Sequence, residues 1–212
     1  MHTNRRVYIF CILISSLFLY ACTQPAKKNE RVKKAQPKTA IAPAAKVNVA
    51  ATDTDECPRG IAEPVVNKSV FPDAQFALQP DHRTGIETLT LKDGDKLILK
   101  QSGCEYYTLS LTFETSRFAA DTADVAYWGD KVLLLMRQVA KGIDVPLQVD
   151  TALNKLALRL EKDKLGNGIK LAVGEEIDFG GPDPRQYLII DRVTRLANRR
   201  YAIEVSLSYG PI

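Results

Sequence analysis

The chain has few of the side chains that build metal and redox centres. Its 212 residues include two histidines, four cysteines, two methionines and one tryptophan. Because a zinc site needs about four His, Cys or carboxylate ligands in one place, we expect no metal and no other cofactor. The same shortage of cysteine excludes a disulfide-dense miniprotein. With 12 glycines and 11 prolines, the chain is not a collagen-like repeat either.

The chain also lacks a basic folded region, although its formal net charge is +4. Residues 1–22 carry only Arg5 and Arg6, and residues 23–56 carry seven Lys and Arg against four acidic residues. Residues 57–212 carry 20 basic and 21 acidic side chains. Since nucleic-acid-binding domains concentrate positive charge, this distribution argues against a nucleic-acid partner.

A single long apolar run stands at the N-terminus. Arg5 and Arg6 precede thirteen uncharged residues, 7–19. As a helix, this run would be about 20 Å long, shorter than the roughly 30 Å hydrocarbon core of a bilayer. A charged start, a short apolar run and a small residue before the cleavage point are typical of a secretory signal peptide.

The run ends in Leu19-Tyr20-Ala21-Cys22. An aliphatic residue three positions before a cysteine, with alanine directly before it, resembles the lipobox of bacterial lipoproteins. The resemblance covers residues 1–23 and implies removal of residues 1–21 and acylation of Cys22, for example by palmitate. Thr23 rather than aspartate follows, which in that class implies an outer-membrane location facing the periplasm. The alternatives are an ordinary signal peptide and an uncleaved anchor helix.

The residues that follow predict a tether. Residues 23–56 contain three prolines, many alanines and lysines, no aromatic residue and no periodic apolar face. Such a composition buries too little apolar surface to offset the entropy lost on ordering. We therefore predict a lipidated Cys22 with a disordered Ala/Lys/Pro-rich tether over residues 22–56, followed by a single domain over residues 57–212.

Within this domain, apolar and polar residues begin to alternate. Period-two alternation predicts β-strands over residues 85–91, 96–101, 105–113, 187–196 and 201–209. Asp93-Gly94 and residues 197–200 predict the turns of two hairpins.

Two segments between these strands have helical spacing. The first begins at Asp121 as the expected N-cap, places Trp128 on its apolar face and ends near Gly142. We expect Trp128 in the core, with a ligand cleft as the alternative. Residues 151–164 predict a second helix, although their leucines also alternate as in a strand. The order of elements predicts an α+β fold, an antiparallel sheet with two helices packed on one face.

Cys57 and Cys104 are the two cysteines that remain after signal removal and lipidation. In an exported domain such a pair most simply forms a disulfide. Closing this loop would stabilise the fold by about 4 kcal/mol in the chain-entropy model. The alternative is an envelope hydrolase acting on cell-wall material, in which His82, beside Asp81, activates a Cys104 thiolate.

Other groups of polar residues give weaker signals. Glu175, Glu176, Asp178 and Asp183 would offer oxygen ligands to calcium, but their spacing matches no calcium loop, and a solvated acidic loop is the simpler interpretation. A carboxylate pair for glycoside cleavage needs only proximity in space, and the sequence selects no such pair. Residues 166–168 predict a helix stop rather than a phosphate-binding loop.

The last predicted hairpin has a basic tip. Its arginines are Arg192, Arg195, Arg199 and Arg200. They are candidate contacts for an acidic envelope partner or for carboxylates of the cell wall. The alternative role is protection of an exposed strand against edge-to-edge pairing.

These observations favour a binding protein over an enzyme. An anchor, a tether and a domain without a recognisable catalytic motif predict a lipid-anchored envelope lipoprotein of the accessory, scaffold or inhibitor type. The competing hypothesis is the envelope hydrolase, acting through Cys104 and His82 or through an unidentified carboxylate pair.

Overall fold

The computed structural model describes residues 57–166, 168–181 and 184–210. The predicted signal peptide, Cys22 and the tether lie outside the described residues. The described part contains two helices and seven strands: β1 (Gln75–Leu78), β2 (Gly85–Thr90), β3 (Lys96–Ser102), β4 (Tyr107–Thr115), α1 (Val125–Val139), α2 (Val149–Lys164), β5 (Glu176–Asp178), β6 (Gln186–Arg195) and β7 (Tyr201–Tyr209). The strands form one antiparallel sheet in the order β1-β2-β3-β4-β7-β6-β5, so the predicted α+β class is confirmed.

Five of the seven strands coincide with the predicted alternating segments. The two that the sequence did not predict are β1, of four residues, and β5, of three. Both form the outer edges of the sheet. Strands this short contain too few repeats for a period-two pattern to stand out, and an edge strand needs less apolar surface than a central one.

The start of α1 differs from the prediction, and the segment predicted as either helix or strand is a helix. Asp124, not Asp121, is the N-cap of α1, and its side chain accepts a hydrogen bond from the Tyr127 backbone N–H. Asp121 lies one turn earlier, where its Oδ1 accepts from the Ala123 N–H at 2.9 Å. Both aspartates can cap a turn in the same way, so the sequence did not distinguish them. The segment predicted over residues 151–164 is helical rather than extended.

The core lies between the helices and one face of the sheet. Inward-facing residues alternate along the central strands β4 and β7, and most of them are fully buried: Tyr107, Leu109, Leu111, Phe113, Tyr201, Ile203, Val205 and Leu207. The opposite face carries hydroxyl and charged side chains, among them Thr108 and Ser208, whose oxygens lie 3.0 Å apart. One apolar and one polar face are typical of an antiparallel sheet with a single covering layer.

Residues 57–74, here called the N-terminal strap, contact both the sheet and the link between the two helices. Glu87 of β2, only 2% exposed, accepts hydrogen bonds from the Val65 and Val66 backbone N–H groups at 3.0 Å each. Val66 also pairs with Ile143 in the link between α1 and α2. Through Glu87, the strap therefore connects the sheet to the helical layer.

Replacing Glu87 with alanine should destabilise the protein by about 2–4 kcal/mol, because two backbone N–H groups would lose their acceptor in a buried setting. Urea unfolding measured by circular dichroism will test this. Thr88→Ala, one residue along the same strand, is the control and should cost less than about 1 kcal/mol. Equal effects of the two variants would contradict the assigned role of Glu87.

Candidate functional site

Cys57 and Cys104 lie at disulfide distance, with their Cα atoms 5.2 Å apart. Cys57 begins the N-terminal strap, and Cys104 lies in the turn between β3 and β4. Arg59 holds the same region. Its guanidinium donates to Gln101 Oε1 at 2.6 Å and to the Gly103 carbonyl at 3.1 Å. The strap is thus attached to this turn through both a cysteine pair and an arginine.

His82 lies in the loop between β1 and β2 and has an exposed side chain. Its carbonyl accepts a hydrogen bond from the Ala62 N–H of the strap at 3.0 Å. Asp81 Oδ2 accepts from Thr84 Oγ1, and Oδ1 accepts from the Thr84 and Arg83 N–H groups. Hydrogen bonds from Thr84 and then Arg83 lower the pKa of Asp81 to about 2, so this carboxylate is occupied in shaping the loop.

The hydrolase hypothesis requires a free Cys104 thiolate. In the structure the Cys104 sulfur lies at disulfide distance from that of Cys57, and reduction would be needed before it could act as a nucleophile. The Asp81 carboxylate is already bonded to Thr84 and Arg83. The geometry therefore gives this triplet of residues little support as a catalytic site.

Of the four arginines of the last hairpin, two form ion pairs and two do not. Arg192 donates to Glu204 Oε1 at 2.7 Å across β6 and β7, and Arg200 forms an ion pair with Glu114 of β4. Among the residues that the structure describes, Arg195 and Arg199 have no carboxylate within ion-pair distance. Arg192 and Arg200 are therefore neutralised by glutamates of the sheet. The residues left as candidates for contact with a partner are Arg195 and Arg199.

The hairpin turn itself has an unfavourable residue at its tip. Asn198 and Arg199 both have φ near +57°, at 57° and 56°. A tight hairpin turn with two positive φ values favours Asn followed by Gly. Arginine in the glycine position is strained, and strain of this kind tends to persist where a side chain serves a function. This feature could have been read from the sequence only once the two central turn residues were known.

Arg195 also lines a surface groove of about 530 Å³. The other lining residues come from the loop between β4 and α1 and from the start of β7: Ala119, Ala120, Asp121, Thr122 and Tyr201. Residues of a loop and of a hairpin that are far apart in sequence therefore meet here. No local sequence pattern indicated this groove.

Trp128 lies beneath the groove. It is fully buried, and its ring centroid lies 4.8 Å from that of Tyr201. Its indole Nε1–H donates to the Asp121 carbonyl at 2.9 Å. The predicted core position of Trp128 is therefore observed, and the same side chain contacts Tyr201 and Asp121, two of the residues that line the groove.

A second polar cluster lies on the uncovered face of the sheet. A bulge in β6 between Ile190 and Arg192 interrupts the register with β7. There Asp191 accepts a hydrogen bond from Ser206 Oγ at 3.0 Å. Burial raises the pKa of Asp191. The hydrogen bond from Ser206 lowers this pKa, whereas the nearby negative charge of Glu204 raises it further. The sequence pattern contained no signal for this bulge, which interrupts an otherwise regular strand.

The acidic loop considered for calcium is paired with arginines. Glu175 binds Arg159, whereas Glu176 and Asp178 both bind Arg185. Asp183 lies outside the described residues. Within residues 57–166, 168–181 and 184–210, no group of three or more His, Cys, Asp or Glu side chains is placed to hold a metal ion.

The comparisons with known proteins give no relative. No protein-family model, curated protein or solved structure significantly matches the chain. Of the helices in the described part, none is long and apolar enough to cross a membrane. Any functional assignment therefore depends on the residues and their geometry.

The cysteine pair leads to a direct chemical prediction. In the full chain purified from an exporting bacterium, Cys57 and Cys104 should react with iodoacetamide only after reduction, because an exported pair at this distance oxidises. Peptide mass spectrometry will measure alkylation at each of the two cysteines. Modification of both cysteines before reduction would contradict the prediction and return Cys104 to consideration as a nucleophile. A Cys104→Ser variant, which leaves Cys57 reactive without reduction, is the control.

Proposed function

We propose that this chain is a lipid-anchored protein of the bacterial outer membrane whose α+β domain faces the periplasm and binds a partner without catalysing a reaction. The lipobox-like residues ending at Cys22 support the anchor. Two acyl chains are enough to hold a protein stably on a bilayer. An accessory, scaffold or inhibitor protein held near the membrane fits this arrangement.

The observation that carries the binding function is the state of Arg195 and Arg199. Neither has a carboxylate partner among the described residues, whereas the neighbouring Arg192 and Arg200 do. Arg199 occupies a strained turn position that glycine would fill at lower cost. Arginine is enriched at binding hot spots because its fork-shaped donors recognise carboxylates. An envelope protein or cell-wall component with exposed carboxylates is the expected partner.

Edge protection is a role that fits Arg195 but not Arg199. Charges that protect an edge are placed along an exposed edge strand. β5 pairs only with Tyr187, Leu188 and Ile189 of β6, so among the described residues the part of β6 that carries Arg195 has no strand beside it on that side. Arg199 lies in the hairpin turn, outside β6 and β7, where a partner could reach it.

Removing either arginine should reduce partner contact without unfolding the domain. A photo-crosslinking amino acid at exposed Ala197 will report contacts in living cells, and we expect at least fivefold fewer crosslinks with Arg195→Gln or Arg199→Gly. Because glycine relieves the positive φ, Arg199→Gly should at the same time stabilise the fold by about 1 kcal/mol. Stability and binding would then change in opposite directions.

Arg137→Gln is the matched control for these variants. Arg137 is also exposed but lies in the last turn of α1, and its replacement should leave the crosslinks unchanged. Crosslinks at Ala197 that survive both hairpin substitutions would show that Arg195 and Arg199 do not carry the contact. Loss of crosslinks in the control as well would point to a nonspecific charge effect.

The anchor has a separate test. Cells fed radioactive palmitate should label the wild-type protein, and Cys22→Ser should abolish the label because the acylated sulfur is gone. Cys57→Ser, which removes a cysteine outside the lipobox, is the control and should keep the label. Equal labelling of wild type and Cys22→Ser would overturn the lipoprotein assignment.

A further inference from the structure

The groove beside the hairpin carries charges of both signs. Arg195 of the hairpin and Asp121 of the loop between β4 and α1 both line it. The two do not form an ion pair with each other, nor with another residue in the part of the chain that the structure describes. A guanidinium and a carboxylate that line one groove without pairing are each available to a ligand with complementary charges.

Asp121 is held in place by its surroundings. Its carbonyl accepts from the Trp128 indole N–H at 2.9 Å and from the Asp124 N–H at 3.0 Å. Its Oδ1 accepts from the Ala123 N–H at 2.9 Å. Its Oδ2 has no hydrogen-bond partner among the described residues. The carboxylate is therefore fixed in the loop with one oxygen open to a donor.

The part of the hairpin that lines the groove is attached to the same tryptophan. Arg195 is the residue paired with Tyr201 in the register of β6 and β7, and the Tyr201 ring packs on that of Trp128. Both charged residues thus belong to elements attached to one buried side chain. Preorganised walls lower the ordering cost of binding a small ligand.

We propose that this groove binds an amino acid or short peptide with free ends, whose carboxylate pairs with Arg195 and whose ammonium pairs with Asp121. The volume of about 530 Å³ falls in the range of roughly 300–1,000 Å³ typical of small-molecule sites. Ala119, Ala120 and Tyr201 also line the groove and offer apolar contacts. The proposal rests on the proposed binding function and names its ligand class.

The charge pattern selects this class over simple anions. A phosphate or a lipid headgroup phosphate would gain from Arg195 but would be repelled by Asp121, which lines the same groove. A ligand with a carboxylate and an ammonium satisfies both side chains, and each contact is charge-assisted. Peptides with free ends reach the periplasm from protein breakdown and from the cell wall, and both sources present the same chemistry.

Trp128 provides the readout, because it is the only tryptophan in the chain. Its indole N–H bonds to Asp121, so a ligand at Asp121 should shift its resonance. The full chain, labelled with ¹⁵N and purified in a mild detergent, will be titrated with L-alanyl-L-alanine. We expect a saturable shift of the indole peak at millimolar ligand, with affinity about tenfold or more weaker for the N-acetylated and C-amidated dipeptides.

Variants locate the two charge contacts. Asp121→Asn retains an oxygen for the Ala123 N–H while removing the negative charge, and Arg195→Gln removes the positive charge. Each should weaken binding of the free dipeptide by about tenfold or more, whereas Arg137→Gln on α1 should leave it unchanged. The capped dipeptides test the same two contacts on the wild-type protein, so the result does not depend on the variants folding.

The outcomes separate this proposal from the one on which it rests. No saturable indole shift, or equal binding of free and capped dipeptides, would overturn the ligand class. If crosslinking at Ala197 still depended on Arg195 and Arg199 in that case, the binding function would stand with a different ligand. A specific indole shift, together with crosslinks at Ala197 that do not depend on Arg195 and Arg199, would support ligand binding in the groove. It would overturn the proposed partner contact.

Discussion

The packing of Trp128 between α1 and the sheet is the interaction on which the candidate site depends. Its ring contacts Tyr201 of β7, and its indole N–H anchors the loop that contains Asp121. A buried tryptophan typically contributes about 3–5 kcal/mol relative to alanine. Here the same contacts that stabilise the core also hold Tyr201 and the Asp121 backbone, which line the groove. Core packing and site geometry are therefore one structural feature, and a change at Trp128 would alter both.

The sheet divides the rest of the molecule into an apolar side and a polar side. Both helices and the N-terminal strap lie on the apolar side, where Glu87 satisfies two buried N–H groups of the strap. The polar side carries the Asp191–Ser206 cluster and the Arg192–Glu204 pair. Most charges there are satisfied by cross-strand partners. Of the four arginines in the last hairpin, Arg195 and Arg199 are the two without a carboxylate partner among the described residues.

The sequence predicted the elements whose periodic pattern is long enough to see. Local patterns predicted the α+β class and the helix that contains Trp128. They also predicted the two hairpins, around Asp93-Gly94 and around residues 197–200. β1 and β5 did not, because three or four residues at a sheet edge carry too short a pattern. The N-cap of α1 was predicted at Asp121 and found at Asp124, since local chemistry permits a cap at either position.

The candidate site separates what the sequence determined from what the tertiary structure decided. Local pattern alone indicated a basic tip on the last hairpin, because the arginines are close in sequence. Two of these arginines are paired because Glu204 and Glu114 lie across from them on neighbouring strands. Such pairings follow from strand register rather than from sequence spacing. The groove needed a loop and a hairpin some 70 residues apart to converge on Trp128. No local pattern encodes that meeting, because packing between distant segments positions the charges of Asp121 and Arg195.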